Sequence, residues 1–113
     1  MNRLEIFSAE RNQLTEFPSV ILDLENLREL YLGDNFITAI PIDIDLLKNL
    51  EWLGLWSNLL RRFPSSLSDM PELSTLDILY NDMTFSEQTW LLELLPHIDV
   101  EMSEPCHCTF DDE

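Results

Sequence analysis

The residues with chemistry to offer are unevenly spread along this chain of 113 residues. Its histidines and cysteines are His97, His107, Cys106 and Cys108, all near the C-terminal end, and none sits in a motif that would orient a base against a nucleophile. Cys106, His107 and Cys108, with His97, could clamp a metal, but C-x-C lacks the paired C-x-x-C spacing of structural zinc sites, and incidental thiols are the preferred reading. The two glycines, Gly33 and Gly54, are too far apart for a phosphate-cradling loop. These absences predict no enzyme, no cofactor and no metal. What remains is aromatic: "LEWLGLWSN" (50 to 58) carries Trp52 and Trp56 around Gly54. Indoles in a polar setting suggest recognition of a partner, provided that they stand outside the core.

Sliding the chain against itself by 23 residues decides how they stand. "LRELYLGDN" (27 to 35), "LEWLGLWSN" (50 to 58) and "LSTLDILYN" (73 to 81) superpose, each opening on a leucine and closing on Asn35, Asn58 or Asn81. "LEIFSAERN" (4 to 12) fits once more, with Phe7 and Ala9 in leucine slots. The second halves agree too, through Phe17-Pro18, Ile40-Pro41 and Phe63-Pro64. L-x-x-L-x-L-x-x-N-x-L is the leucine-rich repeat pattern, and the chain resembles that family over about residues 4 to 102. The 23-residue unit with a proline in its second half is most similar to the intracellular members. The resemblance implies an α/β fold: a short leucine-rich repeat solenoid, or horseshoe, with about five parallel strands on its concave face and irregular convex segments.

Elementary physics leads the same way. One short strand cannot bury leucines at positions 1, 4 and 6 by itself, so successive units must stack, each strand pairing in parallel with the next at about 4.8 Å. The asparagine at position 9 is expected to bond the exposed backbone of its own bend and of the next coil. The prolines suit an irregular or polyproline-like convex side. One domain spans 1 to 113, with repeats at about 4-26, 27-49, 50-72 and 73-94, a helical cap within 85-102 and an acidic tail at 103-113. In the cap, "FSEQTWLLELLP" (85 to 96) reads as a helix with Ser86 as N-cap, packing Trp90, Leu91, Leu94 and Leu95 onto the end of the stack. "LPHIDVEMS" (95 to 103) then supplies a fifth strand with Leu95, Ile98 and Val100 inward. No cap precedes Leu4, which leaves the first strand an open edge through which a second copy could assemble.

Alternation along a strand puts Trp52, Gly54 and Trp56 outside if Leu53 and Leu55 are inside. Position 3 of successive units is then Ile6, Glu29, Trp52, Thr75 and His97; position 5 is Ser8, Tyr31, Gly54, Asp77 and Asp99; position 7 is Glu10, Gly33, Trp56, Leu79 and Glu101. Arg11, Asp34, Ser57, Tyr80 and Met102 follow at the rim. Tyr31, Trp52, Trp56, Leu79 and Tyr80 form an expected apolar patch ringed by Glu29, Asp34, Asp77, Asp99, Glu10 and Glu101, with Gly54 as a notch between the indoles. Asp77 and Asp99 fall on adjacent strands of one column and could hold a cation, but a solvated acidic rim is the preferred reading. The patch is expected to be a protein or peptide site; the plainer alternative is that the indoles fold over Gly54 and shield the sheet.

With 22 acidic against 6 basic residues the formal net charge is -16, so nucleic acid and anionic membrane are expected to be repelled and a basic protein partner attracted. Two further functions fit: a dedicated inhibitor or immunity protein for a basic toxin or nuclease, and a self-assembling structural protein. No apolar run approaches the about 20 residues of a membrane span. The opening "MNRLEIFSAERNQL" lacks the long apolar stretch of a secretory leader, so a cytoplasmic location is expected.

Overall fold

Strands of three residues are too short to shelter anything alone, and each gains its cover from the next coil. The structure, a computed structural model, describes residues 3–104. Its strands are β1 (Ile6–Ser8), β2 (Glu29–Tyr31), β3 (Trp52–Gly54), β4 (Thr75–Asp77) and β5 (Asp99–Glu101), with one helix, α1 (Phe85–Leu94), before the last. They form a single five-stranded parallel sheet in chain order. The chain is therefore the short α/β solenoid that the resemblance to leucine-rich repeats implies, 46 × 30 × 19 Å in extent.

Pairing follows the repeat. Ile6, Glu29 and Trp52 are in register, as are Phe7, Leu30, Leu53 and Leu76, and Ser8, Tyr31, Gly54 and Asp77. Leu30, Leu53 and Leu76 are wholly buried, together with Leu27, Leu50, Leu32 and Leu55. The first coil is less sheltered: Leu4, Phe7 and Ala9 are only partly buried, and among the described residues β1 pairs with β2 alone.

Each repeat turns out of its strand through a residue in the left-handed backbone region, namely Arg11 (φ 61), Asp34 (φ 58), Ser57 (φ 54) and Tyr80 (φ 62). The following asparagine stitches the bend. Asn58 Nδ2 donates to Leu55 O at 3.1 Å, Trp56 O at 3.2 Å and Leu32 O at 3.1 Å, while its Oδ1 accepts from Ile37 N at 2.9 Å. Asn81 does the same toward Leu55 O and Leu60 N, and Asn35 toward Ala9 O and Leu14 N. The inter-coil bonds thus run to the preceding coil, not the next one as expected. The reason is that the amide points back under the bend already laid down, where carbonyls and N–H groups lack ladder partners. Among the described residues the Asn12 side-chain amide reaches Glu10 O alone, at 3.1 Å.

The convex side is built of short turns rather than of regular helix or strand. Pro18, Pro41 and Pro64 each precede a 3-10 turn, at Ser19–Asp23, Ile42–Leu46 and Ser65–Asp69. Proline fixes φ near the value these turns need and its carbonyl accepts their first bond, as in Ile44 N to Pro41 O at 3.1 Å. Ile21, Ile44 and Leu67 drop from these turns into the core.

The C-terminal end requires three corrections. Thr84, not Ser86, caps α1 in a reciprocal capping box, with Thr84 N donating to Glu87 Oε1 at 2.8 Å and Glu87 N to Thr84 Oγ1 at 3.2 Å. Leu91 and Leu95 are buried and Leu94 is half-buried, but Trp90 turns outward with 45% of its surface exposed. Finally, the helix and its exit turn lengthen the last unit. Leu76 pairs with Val100, a step of 24 residues, so Asp99 lies opposite Thr75 and Glu101 opposite Asp77, two places from the expected register. Because the strand period is two, the slip leaves Asp99 and Glu101 on the outer face while moving His97 into the preceding turn. Cys106, His107 and Cys108 lie outside the described residues.

Replacing Asn58 with alanine would leave the buried Ile37 N–H of the preceding coil unpaired within the structure and remove one of the bonds accepted by Leu32 O, Leu55 O and Trp56 O. We expect a loss of about 3 kcal/mol in urea unfolding, against less than about 1 kcal/mol for the exposed Asn12→Ala.

Candidate functional site

The outward side chains of β2, β3 and β4 and of the bends that follow them build the candidate site. Its two indoles, equivalent in the repeat, are held differently. Trp56 is half-buried and lies across Gly33 of the neighbouring coil, where an added Cβ would collide with its Cε2 and Nε1 atoms. Because Gly33 has no side chain, the ring reaches the coil beyond, where Nε1 donates to Glu10 Oε2 at 3.1 Å. The Arg11 guanidinium stands over the ring, 5.6 Å from its centroid, and also meets Asp34 at 3.5 Å. Trp56 is thus fixed below, at one edge, and covered above by a cation.

Trp52 is less restrained. It retains 36% of its surface, and its indole N–H has no hydrogen-bond partner among the described residues. It leans over the buried Gly54 together with Tyr31; a Cβ added there would lie 3.4 Å from Trp52 Nε1 and 3.4 Å from Tyr31 Cδ1, an ordinary contact. Tyr31 donates its phenolic proton to Glu29 Oε1 at 2.6 Å. Losing that proton would set two anions side by side, so the Tyr31 pKa is raised above its ordinary value, first by this hydrogen bond and then by desolvation and the Glu29 charge.

The remaining expected members occupy graded positions. Leu79 is half-buried beside Trp56, in the column where Ser57 N bonds Leu79 O at 2.7 Å. Asp77 turns its Oδ1 onto Leu79 N at 3.2 Å. Tyr80 sits on the bend, 68% exposed, its N–H bonded to Ser103 Oγ at 2.8 Å. Asp34 is exposed and occupied with Arg11. Asp99 neighbours Thr75 rather than Asp77, and shares a hydrogen bond with Glu101 that raises the Glu101 pKa, with like charge adding to it. Among the described residues no cluster of acids, histidines or cysteines is arranged to hold a metal ion. Nor, among the described residues, is any helix long and apolar enough to cross a membrane.

Sequence reasoning saw Gly54 as the notch for both indoles. The structure divides the work: Gly54 seats Trp52 and Tyr31, while Gly33 seats Trp56. Arg11, placed at the rim, went unrecognised as the cover of an indole, although position 8 of the first unit follows Glu10 and both precede the Gly33 gap. Of the two indoles, Trp52 lies against Gly54, while Trp56 covers Gly33 instead.

A sequence profile described as leucine rich repeat matches residues 25–83. The chain is 34% identical over 88 residues, 77% of its length, to adenylate cyclase of Schizosaccharomyces pombe. It is 36% identical over 84 residues, 71% of its length, to leucine-rich repeat serine/threonine-protein kinase 1 of Caenorhabditis elegans. It spans 5% and 4% of those two proteins, so what is shared is a small part of each. A solved leucine-rich repeat protein of Leptospira interrogans superposes with a TM-score of 0.81 at 31% identity, over 87% of this chain and 25% of that one.

Two measurements check this geometry. Gly33→Ala should lift Trp56 from its seat, red-shifting tryptophan emission and costing about 1–2 kcal/mol in urea, whereas Gly54→Ala should be neutral or slightly stabilising. In a Tyr80→Phe background, absorbance titration should place the Tyr31 midpoint above the ordinary value of about 10, and Glu29→Gln should bring it down. Since the folded state holds this proton more tightly, its contribution to stability is complete below the unfolded pKa and is lost as pH rises through the folded one.

Proposed function

The chain belongs to the leucine-rich repeat family, and from that premise we propose that its concave face binds a protein or peptide through Trp52, Trp56, Tyr31 and Leu79. Repeats of this family generally serve as interaction modules, using the extended inner surface that stacking creates. The observation that carries the reading is Trp52: a large indole left 36% exposed, in mid-sheet, with no hydrogen-bond partner among the described residues. Aromatic groups of this kind, centred in a polar rim, are the usual energetic anchors of protein interfaces. Glu29 lies opposite it on β2 and Thr75 on β4, with Asp77 two places on, opposite Gly54.

A net charge of -16 favours a basic partner, whose approach the field would accelerate. Anchor and field act on different rates. Truncating Trp52 removes desolvated contact and should speed dissociation, while added salt should slow association. Catalysis is not part of this reading, since the site offers neither a nucleophile with a base nor a preorganised charge cluster.

Affinity capture from a lysate of the source cells, with wild type beside Trp52→Ala and the outward-facing control Trp90→Ala, tests it. A basic protein retained by wild type and Trp90→Ala, and weakened at least tenfold by Trp52→Ala in a titration, is the expected outcome. Equal retention by Trp52→Ala and wild type, with both proteins folded, would remove the concave face from consideration.

A further inference from the structure

The arrangement around Trp56 suggests what part of a partner the face receives. The ring is enclosed by three contacts. Its underside rests on Gly33, its N–H is bound by Glu10, and its upper side is covered by Arg11 at 5.6 Å. That cover is lightly held. The Arg11 side chain is 69% exposed, and the Asp34 carboxylate that steadies it, at 3.5 Å, is 48% exposed. Surface ion pairs and exposed cation–π contacts are weak, so this guanidinium can swing into water at small cost.

We propose that the upper face of Trp56 is a seat for an arginine side chain of the partner, and that Arg11 is a placeholder which occupies it in the free protein. This inference rests on the concave face being the binding surface. Chemistry supports a guanidinium in particular. A planar cation can stack on the indole while turning its N–H groups to the carboxylates beside it, here Asp34 and Glu10. An ammonium would gain the charge attraction but not the stacking. The excess of acidic residues draws such a group inward, and a folded chain that already seats its own arginine there shows the geometry to be compatible. Arg11 also shields the indole while no partner is present, and it competes for the seat from the same molecule.

Removing the competitor should therefore strengthen binding, although it removes a rim side chain. Arg11→Asn is the informative variant, since asparagine accepts the left-handed backbone that Arg11 adopts at φ 61. The probe is the neutral-ended peptide acetyl-Gly-Arg-Gly-amide, titrated while following indole N–H resonances by NMR; its citrulline twin has the same shape without the charge. In wild type the arginine peptide should shift the Trp56 indole resonance and the citrulline peptide should not. Arg11→Asn should bind about fivefold more tightly, whereas Lys48→Ala, which removes the same charge from an exposed residue off the sheet, should change affinity by less than about twofold. Equal affinity of wild type and Arg11→Asn would overturn the placeholder. A Trp56 resonance unmoved by the arginine peptide, or moved as much by citrulline, would overturn the seat. Either failure leaves capture by Trp52 intact, and the loss of discrimination between wild type and Trp52→Ala would refute the concave face instead.

Discussion

Every coil in this protein is incomplete alone, and the asparagine at each bend is where that incompleteness is resolved. A chain leaving a three-residue strand exposes carbonyls and N–H groups that no ladder can satisfy. Buried Asn35, Asn58 and Asn81 meet those groups on their own coil and on the one before with a single amide. Leucine burial supplies the larger free energy, but it is tolerant of small displacements. Hydrogen bonds to defined carbonyls are not, so the asparagines set the stacking interval while the leucines reward it. Register across β1 to β4 then follows with one residue opposite its repeat equivalent throughout.

A regular scaffold leaves its outer face free to vary, and the two glycines show how that freedom is used. Neither is needed for a positive φ. Each removes a side chain from the concave face so that an indole can lie against the backbone there. At Gly33 the space admits the whole Trp56 ring and joins three coils through the bond to Glu10; at Gly54 it admits two aromatic edges and leaves Trp52 accessible. One aromatic pair thus divides into a structural platform and an exposed anchor. The carboxylates are divided in the same way. Glu29 and Glu10 accept hydrogen bonds from the Tyr31 hydroxyl and the Trp56 indole N–H, Asp77 accepts one from the Leu79 backbone N–H, and Asp34 restrains an exposed arginine.

The ends of the stack obey different constraints from its middle. At β1 the first leucine slots hold Phe7 and Ala9, half-covered, and the strand's outer edge is unpaired among the described residues. At the other end α1 takes the place of a 3-10 turn, ties itself in through Gln88 to Ser103 O at 3.0 Å, and buries Leu91 against the last coil. A longer convex element needs more chain, and the final strand arrives one residue later than the 23-residue repeat would put it.

The periodic features were legible in the residues themselves. Leucines at positions 1, 4 and 6, asparagine at 9 and proline after them admit one solution, because only stacking at a common interval satisfies all of them together. Alternation then places Trp52 and Trp56 on the outside. What depends on neighbours from other coils was decided only by tertiary structure. Whether an outward indole lies flat or stays open depends on the side chains around it: Gly33, 23 positions earlier, and Glu10 settle Trp56, while Tyr31 and Gly54 settle Trp52. The cap residue, the outward turn of Trp90 and the pairing of Asp77 with Glu101 likewise follow from how much chain α1 consumes as it closes the core. Periodicity is a property of one unit copied along the chain and can be read there; contacts between unlike side chains on different copies exist only once the copies are stacked.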